Sequence, residues 1–245
     1  MCFHNYLLSR FLMVLVVLQL SCSTTPINTN EDNEEDQARQ ALELGDYDAA
    51  IEKIGALIAK YPLEYKYYPL IATAYASRSG VDLVAIVKTE LFSSGGDGAV
   101  DITAIDKYIP TTPNDTNISD IDTAVDWIKQ MPLDHRSDTS DYEYGPSASL
   151  QLSLYATTAF NMKTNQLKST TTGDVDPEKL EDLSDAEVDS LIDSLQDAVD
   201  NGENSAVSAE VAAQAAEALD EIAAQPGATQ KEKIQNYINS QETGN

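Results

Sequence analysis

Hydrophobic side chains recur at helical spacing in residues 46–61. Ala50 and Ile54 are four residues apart and belong to a stripe along one face of a predicted helix. Asp46 precedes the stripe as an N-cap, whose carboxylate can accept hydrogen bonds from the unpaired first-turn amides. Pro62 ends the helix, because proline lacks the amide hydrogen that the next turn needs.

A second apolar stripe precedes this helix and contains Ala38, Ala41 and Leu42. It ends at Gly45, where the chain can reverse direction without a steric penalty. Ala50 is small enough to let a neighbouring helix approach closely. The pattern therefore predicts two antiparallel helices joined by a very short turn.

Amphipathic patterns continue to the end of the chain. Residues 119–132 form a predicted helix capped by Ser119 or Asp120, with a loop at 111–119 before it. Ser184 with Glu187 forms a capping box at the start of another helix. No segment alternates in the manner of a strand, so the sequence predicts an all-α fold. The predicted helices in this part are 101–109, 119–132, 147–163, 184–199, 208–224 and 229–240. We expect the helix at 147–163 to be largely buried.

The first helices resemble a tetratricopeptide repeat, whose period is about 34 residues. The residues that match its second helix are Gly45, Tyr47, Ala50, Ile54, Leu57 and Pro62, and those that match the next first helix are Tyr68, Ile71, Ala72 and Tyr75. The match is strongest over residues 36–76, although two amphipathic helices joined by a glycine turn can imitate half a repeat by chance. The resemblance implies TPR-like helix pairs stacked as a short solenoid over residues 37–168, with additional C-terminal helices at 169–245 packed on the same domain.

The N-terminus has the features of a secretory signal. Arg10 precedes an apolar run over residues 11–18 that is too short to span a bilayer, and Ser21 stands directly before Cys22. This junction resembles a bacterial lipobox, which implies a signal peptide over residues 1–21 and a lipid attached to Cys22. Gln19 departs from the lipobox pattern, which usually has leucine there.

Cleavage near Ser23 with release of a soluble product is the alternative. We favour lipidation because the only other cysteine, Cys2, lies inside the signal, so Cys22 cannot form an intramolecular disulfide. Residues 22–36 are polar and acidic and are predicted to be a flexible tether. Since Ser23 is not the aspartate that retains such lipoproteins in the inner membrane, the resemblance implies the outer membrane, with the domain facing the periplasm.

The charge excludes one class of partner. The chain carries 41 acidic and 15 basic residues, a formal net charge of −26. Nucleic acid phosphates and anionic lipid headgroups would be repelled. The simplest interpretation of the acidity is a well-solvated surface.

Catalytic and metal-binding patterns are not found in the sequence. His135 is the only histidine outside the signal and lies in a polar, acidic segment. No nucleophile elbow, phosphate-binding glycine loop or zinc-ligand spacing occurs. We therefore predict a protein that is not an enzyme and has no cofactor or metal.

Two functional hypotheses remain. The first is a non-catalytic interaction module or scaffold that binds a protein or peptide partner in a cell-envelope complex. The repeat family binds partners through its first helices, and this resemblance implies that the contact residues are Arg39, Leu42, Glu43, Thr73, Ala76 and Ser77. The alternative is a small-molecule-binding accessory lipoprotein, similar to those of tripartite periplasmic transporters, with a cavity lined by Trp127, Tyr142, Tyr144 and Tyr155.

Overall fold

The structure is a computed structural model that describes residues 29–86, 105, 107–136, 147–169, 174–202 and 206–243. The predicted signal peptide, Cys22, Tyr142 and Tyr144 lie outside this part of the chain. Within the described ranges the fold is helical and contains no strand, apart from an isolated bridge between Lys168 and Val175. The all-α prediction is confirmed for these residues. None of their helices is long and apolar enough to cross a bilayer.

The helices follow one another in a single packed series. They are α1 (Thr29–Glu43), α2 (Tyr47–Lys60), α3 (Tyr67–Arg78), α4 (Leu83–Ile86), α5 (Asp115–Lys129), α6 (Leu133–Arg136), α7 (Ala148–Gln166), α8 (Pro177–Glu181), α9 (Asp185–Asp200), α10 (Ala206–Ala224) and α11 (Gln230–Thr243). The long helices pack in chain order, α1 on α2, α2 on α3, α3 on α5, α5 on α7 and α7 on α9.

The turn between α1 and α2 has the predicted chemistry. Gly45 adopts φ 76°, a left-handed conformation that a side chain would strain. The Asp46 carboxylate accepts a hydrogen bond of 3.2 Å from the Ala49 amide and caps α2. Ala50 is fully buried, as expected for a small residue on a helix packing face.

Helix α1 begins earlier than the sequence pattern indicated, so residues 29–36 are helical and do not belong to a flexible tether. Two ion pairs connect this part of α1 to residues that follow α2 or end it. The Lys60 Nζ lies 2.9 Å from a Glu34 oxygen, and the Lys66 Nζ lies 2.8 Å from a Glu35 oxygen. Partial burial opposes ionisation of Glu35, but hydrogen bonds from Lys66 and Arg39 outweigh it and lower the pKa of that carboxyl.

Helix α5 also begins earlier than predicted, at Asp115, and its cap is Asn114 instead of Ser119 or Asp120. The Asn114 side chain accepts a hydrogen bond from the Asn117 amide, and the Asn117 side chain accepts one from the Asn114 amide, each at 3.0 Å. This reciprocal pair satisfies two amides that the helix leaves without partners. The side-chain amide oxygens of the two asparagines take the acceptor roles that the serine hydroxyl and the glutamate carboxylate have in a common capping box.

Arg78 joins three helices at the end of α3. Its guanidinium donates two hydrogen bonds, of 2.8 and 2.6 Å, to the two oxygens of Asp120 on α5. A third hydrogen bond of 2.6 Å reaches Asp48 on α2. The Asp120 side chain is only 7% exposed, whereas that of Asp48 is 81% exposed. The bidentate pair with Asp120 is therefore the partly desolvated and geometrically specific contact.

Helix α7 is enclosed by other helices, and every residue from Ala148 to Phe160 is buried. It packs against α3, α5, α9 and α10. Two polar side chains of α7 bond to neighbouring helices: the Tyr155 hydroxyl lies 3.2 Å from the Thr73 hydroxyl, and the Ser153 hydroxyl donates to the Ala198 carbonyl at 3.3 Å. Among the described residues, the Thr158 hydroxyl is buried without a hydrogen-bond partner. The predicted buried helix at 147–163 is confirmed, and α7 is the centre of the bundle.

Removing the cation from the Arg78–Asp120 pair should destabilise the fold. Arg78→Leu leaves a nearly buried carboxylate without its partner, and we expect a loss of about 2–4 kcal/mol in the free energy of unfolding, measured by urea denaturation. The double variant Arg78→Leu/Asp120→Leu should recover part of this loss, because no unpaired charge remains. Asp48→Ala should cost less than about 1 kcal/mol. A double variant no more stable than Arg78→Leu would contradict this account.

Candidate functional site

The six residues that the repeat resemblance assigned to a partner surface do not lie on one open face. On α1, Arg39 and Glu43 are exposed and Leu42 is half-buried against the core. The Arg39 guanidinium pairs with Glu35 at 2.8 Å. These α1 side chains remain accessible to a partner.

The α3 residues are mostly occupied by contacts within the fold. The Thr73 hydroxyl donates to the Pro69 carbonyl at 2.9 Å and also contacts Tyr155 on α7. Ala76 is 1% exposed, and Ser77 is half-buried. Ala76 is buried within the fold and is not available to an external partner, so its assignment as a contact residue is corrected. Thr73 is half-buried, with its hydroxyl directed to partners inside the fold, and its assignment stays a prediction.

The aromatic residues proposed for a small-molecule cavity also have structural contacts. Trp127 is half-buried, with its ring centroid 5.9 Å from that of Tyr68. Tyr155 is fully buried, and burial raises the pKa of its hydroxyl. His135 stacks against Tyr65 with a centroid separation of 4.4 Å. These rings contribute to packing between helices.

A long groove lies between α5 and α9, with α7 beneath it. It comprises two adjoining cavities of about 510 and 230 Å³ that share Asp122, Asp126, Lys163 and Ser190. We call it the α5–α9 groove. It is lined by Asp115, Ile118, Ser119, Asp122, Thr123, Val125, Asp126 and Lys129 from α5, Ala156, Lys163 and Gln166 from α7 with Leu167, and Leu183, Glu187, Ser190, Leu191, Asp193, Ser194 and Asp197 in and before α9.

Lys163 stands at the centre of the groove and connects its walls to its floor. Its side chain is only 12% exposed, and its Nζ lies 2.8 Å from an Asp122 oxygen on α5. The same Nζ donates to the Ser194 hydroxyl of α9 at 2.9 Å. The Ser194 hydroxyl is buried and in turn donates to the Ser190 carbonyl at 2.8 Å. The contact between Lys163 and Ser194 therefore belongs to the packing of α7 against α9.

Carboxylates outnumber cations along the groove. Six acidic side chains line it, against Lys129 and Lys163. Lys129 pairs with Asp197 at 2.8 Å near one end. Asp126 makes no ion pair within the described part of the chain, and partial desolvation, with Asp122 and Asp197 nearby, raises the pKa of its carboxyl. The groove therefore retains negative charge that its own lysines do not compensate.

The floor of the groove combines apolar side chains with the polar Lys163 and Gln166 of α7. Leu167, Leu183 and Leu191 border it and are buried, while Ile118 is half-buried. Side chains with both a hydrocarbon stem and a charged end would match this combination of apolar side chains and acidic walls. Among the described residues, no group of three histidine, cysteine, aspartate or glutamate side chains is arranged to hold a metal ion.

Sequence reasoning did not find this groove. Its acidic residues occupy the polar faces of α5 and α9, which in the sequence are indistinguishable from ordinary solvated helix faces. Asp122 and Asp126 are one helical turn apart, but Asp193 and Asp197 are about 70 positions later. Only the packing of both helices on α7 brings the two rows together.

Comparison with known proteins adds no family assignment. No protein-family model matches the chain, and neither a curated protein nor a solved structure matches it. The functional inference consequently depends on the geometry of the groove and the features of the N-terminus.

Neutralising Asp126 should stabilise the protein at neutral pH. A raised pKa in the folded state means that ionisation opposes folding, so the contribution of this group to stability falls as the pH rises from its ordinary pKa through the raised value. Asp126→Asn removes the charge. We expect a gain of less than about 1 kcal/mol at pH 7, since the side chain is largely exposed.

This gain should disappear in acid, below the ordinary aspartate pKa of about 4, where Asp126 is protonated in both states. Denaturant unfolding at both pH values measures the difference. Asp189→Asn, an exposed position on α9 outside the groove, is the matched control and should change stability by less than about 0.5 kcal/mol. A variant that is less stable at pH 7 would show that Asp126 stabilises the fold.

Proposed function

We propose that this protein is a non-catalytic interaction module that binds a protein or peptide partner in a complex of the bacterial cell envelope. A lipid on Cys22 anchors it to the outer membrane, with the helical domain facing the periplasm. The N-terminal sequence supports the anchor, through the apolar run at residues 11–18 and the cysteine that follows it. In this proposal α1, α2 and α3 form a TPR-like unit, and the remaining helices extend it into a bundle.

The α5–α9 groove is the observation that carries the proposal. Its lining residues on α5 run from Asp115 to Lys129, which at about 1.5 Å per residue is roughly 20 Å. Side chains along it are accessible, with Asp122 41% and Lys129 43% exposed. An accessible trough of this length can hold a segment of polypeptide, whereas small molecules are usually bound in sites that enclose most of their surface.

The exposed side of α1 is another accessible surface among the described residues. A shallow depression of about 450 Å³ is lined there by Asn33, Asp36, Gln37, Arg39, Gln40 and Glu43. It belongs to one helix and is lined entirely by polar side chains. Protein interfaces typically have a desolvated apolar core inside a polar rim, so the groove, whose lining includes the half-buried Ile118 and three leucines, is the better candidate.

Site-specific photocrosslinking in cells tests this function. We place a photoreactive amino acid at Thr123 in the groove, or at Glu52 on the exposed side of α2, in the full-length anchored protein. Thr123 should give a discrete crosslinked partner and Glu52 should not. Ser119→Trp, which fills the groove from an exposed position, should reduce the crosslink roughly tenfold, corresponding to about 1.4 kcal/mol of binding free energy.

The matched control changes the surface that the repeat resemblance implied. The triple variant Arg39→Ala/Glu43→Ala/Ser77→Ala should leave the Thr123 crosslink unchanged. Loss of the crosslink in this control, with no effect of Ser119→Trp, would place the partner on α1 instead. Absence of any protein crosslink, together with a bound small molecule in native mass spectrometry, would favour the ligand-binding alternative and contradict the proposal.

A further inference from the structure

We propose that the occupant of the α5–α9 groove is a basic segment of a partner protein, in which lysine or arginine side chains alternate with apolar ones. This inference rests on the proposed function, since it names the chemistry of the partner that the groove binds. Three features of the groove support it: its uncompensated negative charge, the apolar side chains in its floor and its length.

The charge of the groove favours a cationic occupant. Six carboxylates face two lysines, and both lysines are already paired, Lys163 with Asp122 and Lys129 with Asp197. In the described part of the chain, neither Asp126 nor Asp193 makes an ion pair. A cation that entered between α5 and α9 would approach carboxylates from both walls at once, where its attraction to them adds.

The floor of the groove determines what kind of cation fits. A small inorganic ion would leave the half-buried Ile118 in contact with water, whereas Leu183 and Leu191 are already buried by the fold. Lysine and arginine carry three or four methylene groups beneath their charged ends, and neighbouring leucine or valine side chains would cover the rest of the floor. Each Å² of apolar surface removed from water contributes about 25 cal/mol.

The distribution of carboxylates along α5 suits a polypeptide segment. Asp115 lies near one end of the groove, and Asp122 and Asp126 lie near its middle, at intervals of seven and four residues. These spacings correspond to about 10 and 6 Å along the helix axis. A helical partner with basic residues at the same intervals would place a cation opposite each carboxylate.

The chain itself does not supply such a segment. Outside the described ranges the sequence has two basic residues, Arg10 and Lys88, which are far apart in the chain. A second copy of the protein would bring a further net charge of −26. Anionic lipid headgroups have the wrong sign as well. The occupant is accordingly a different, basic protein.

Fluorescence anisotropy with defined peptides tests the inference. The probe is a labelled 14-residue peptide with lysine and leucine at helical spacing, which spans about 21 Å as a helix. The protein is the full-length chain in neutral detergent. We expect saturable binding that weakens as salt rises from about 0.05 to 0.5 M, because screening shortens the range of the attraction. The same peptide with glutamate in place of lysine should not bind.

Matched charge variants distinguish the groove from the acidic surface as a whole. Asp126→Asn/Asp193→Asn removes two groove carboxylates that lack ion pairs in the described residues and should weaken binding roughly fivefold to tenfold at low salt. The control Glu52→Gln/Asp189→Asn removes the same charge from exposed positions elsewhere and should change affinity less than about twofold. Equal effects of both pairs would show generic attraction to an acidic protein and would overturn the inference.

Two further outcomes separate this inference from the proposed function. If spermine displaces the peptide but no basic protein is crosslinked from Thr123, the groove binds a free polyamine and the peptide assignment is wrong. If Thr123 crosslinks to an acidic or neutral segment of a partner, the interaction function stands and the charge inference is overturned. If the lysine–leucine peptide binds at the groove and its crosslinked cellular partner is basic, both are supported.

Discussion

The enclosure of helix α7 is the constraint on which the rest of the structure depends. A helix buried on all sides needs neighbours on all sides, and α3, α5, α9 and α10 provide them. Burying a polar group without a hydrogen bond costs free energy, and among the described residues of α7 only the Thr158 hydroxyl is a buried side-chain group without a partner. Thr73 on α3 and the Ala198 carbonyl on α9 are two of the partners of its other buried groups. These hydrogen bonds connect α7 to α3 and α9 and help to hold the three helices in position.

The same enclosure produces the candidate site. Helices α5 and α9 both pack on α7, and their polar faces rise on either side of it. Lys163 of α7 lies between them and contacts Asp122 on α5 and Ser194 on α9. Its positive charge offsets part of the repulsion between the two acidic walls. The groove is a consequence of two helices sharing one support. A partner that fills it would extend the packing around α7 by one more element.

Local rules predicted much of the fold from the sequence. Asp46 and the Ser184–Glu187 capping box begin helices where expected, and Gly45 makes the left-handed turn. These features depend on neighbouring residues, so their signals are contained in short stretches of sequence. The start of α1 was missed because Glu34 and Glu35 obtain their partners, Lys60 and Lys66, from about 25 to 30 positions away. The start of α5 was missed because its capping box uses two asparagines.

Long-range packing explains what the sequence could not predict about the site. The repeat resemblance places Thr73 and Ala76 on an accessible helix face, and only the packed fold shows that Ala76 is buried and that Thr73 contacts Tyr155 of α7. Conversely, the aspartates of α5 and α9 look like two separate solvated faces until α7 brings them together. The repeat resemblance, which extends over residues 36–76, contains no information about either arrangement.

Amide hydrogen exchange on the intact protein tests the central position of α7 most directly. If α7 is enclosed as described, the amides of residues 151–160 should exchange only through global unfolding, with a protection free energy equal to the unfolding free energy from denaturant. The amides of α11, which packs mainly against α9 and α10 at the edge of the described bundle, should exchange through smaller openings. Exchange of residues 151–160 as fast as that of α11 would contradict the account, because α7 could then be neither the core of the bundle nor a fixed floor for the groove.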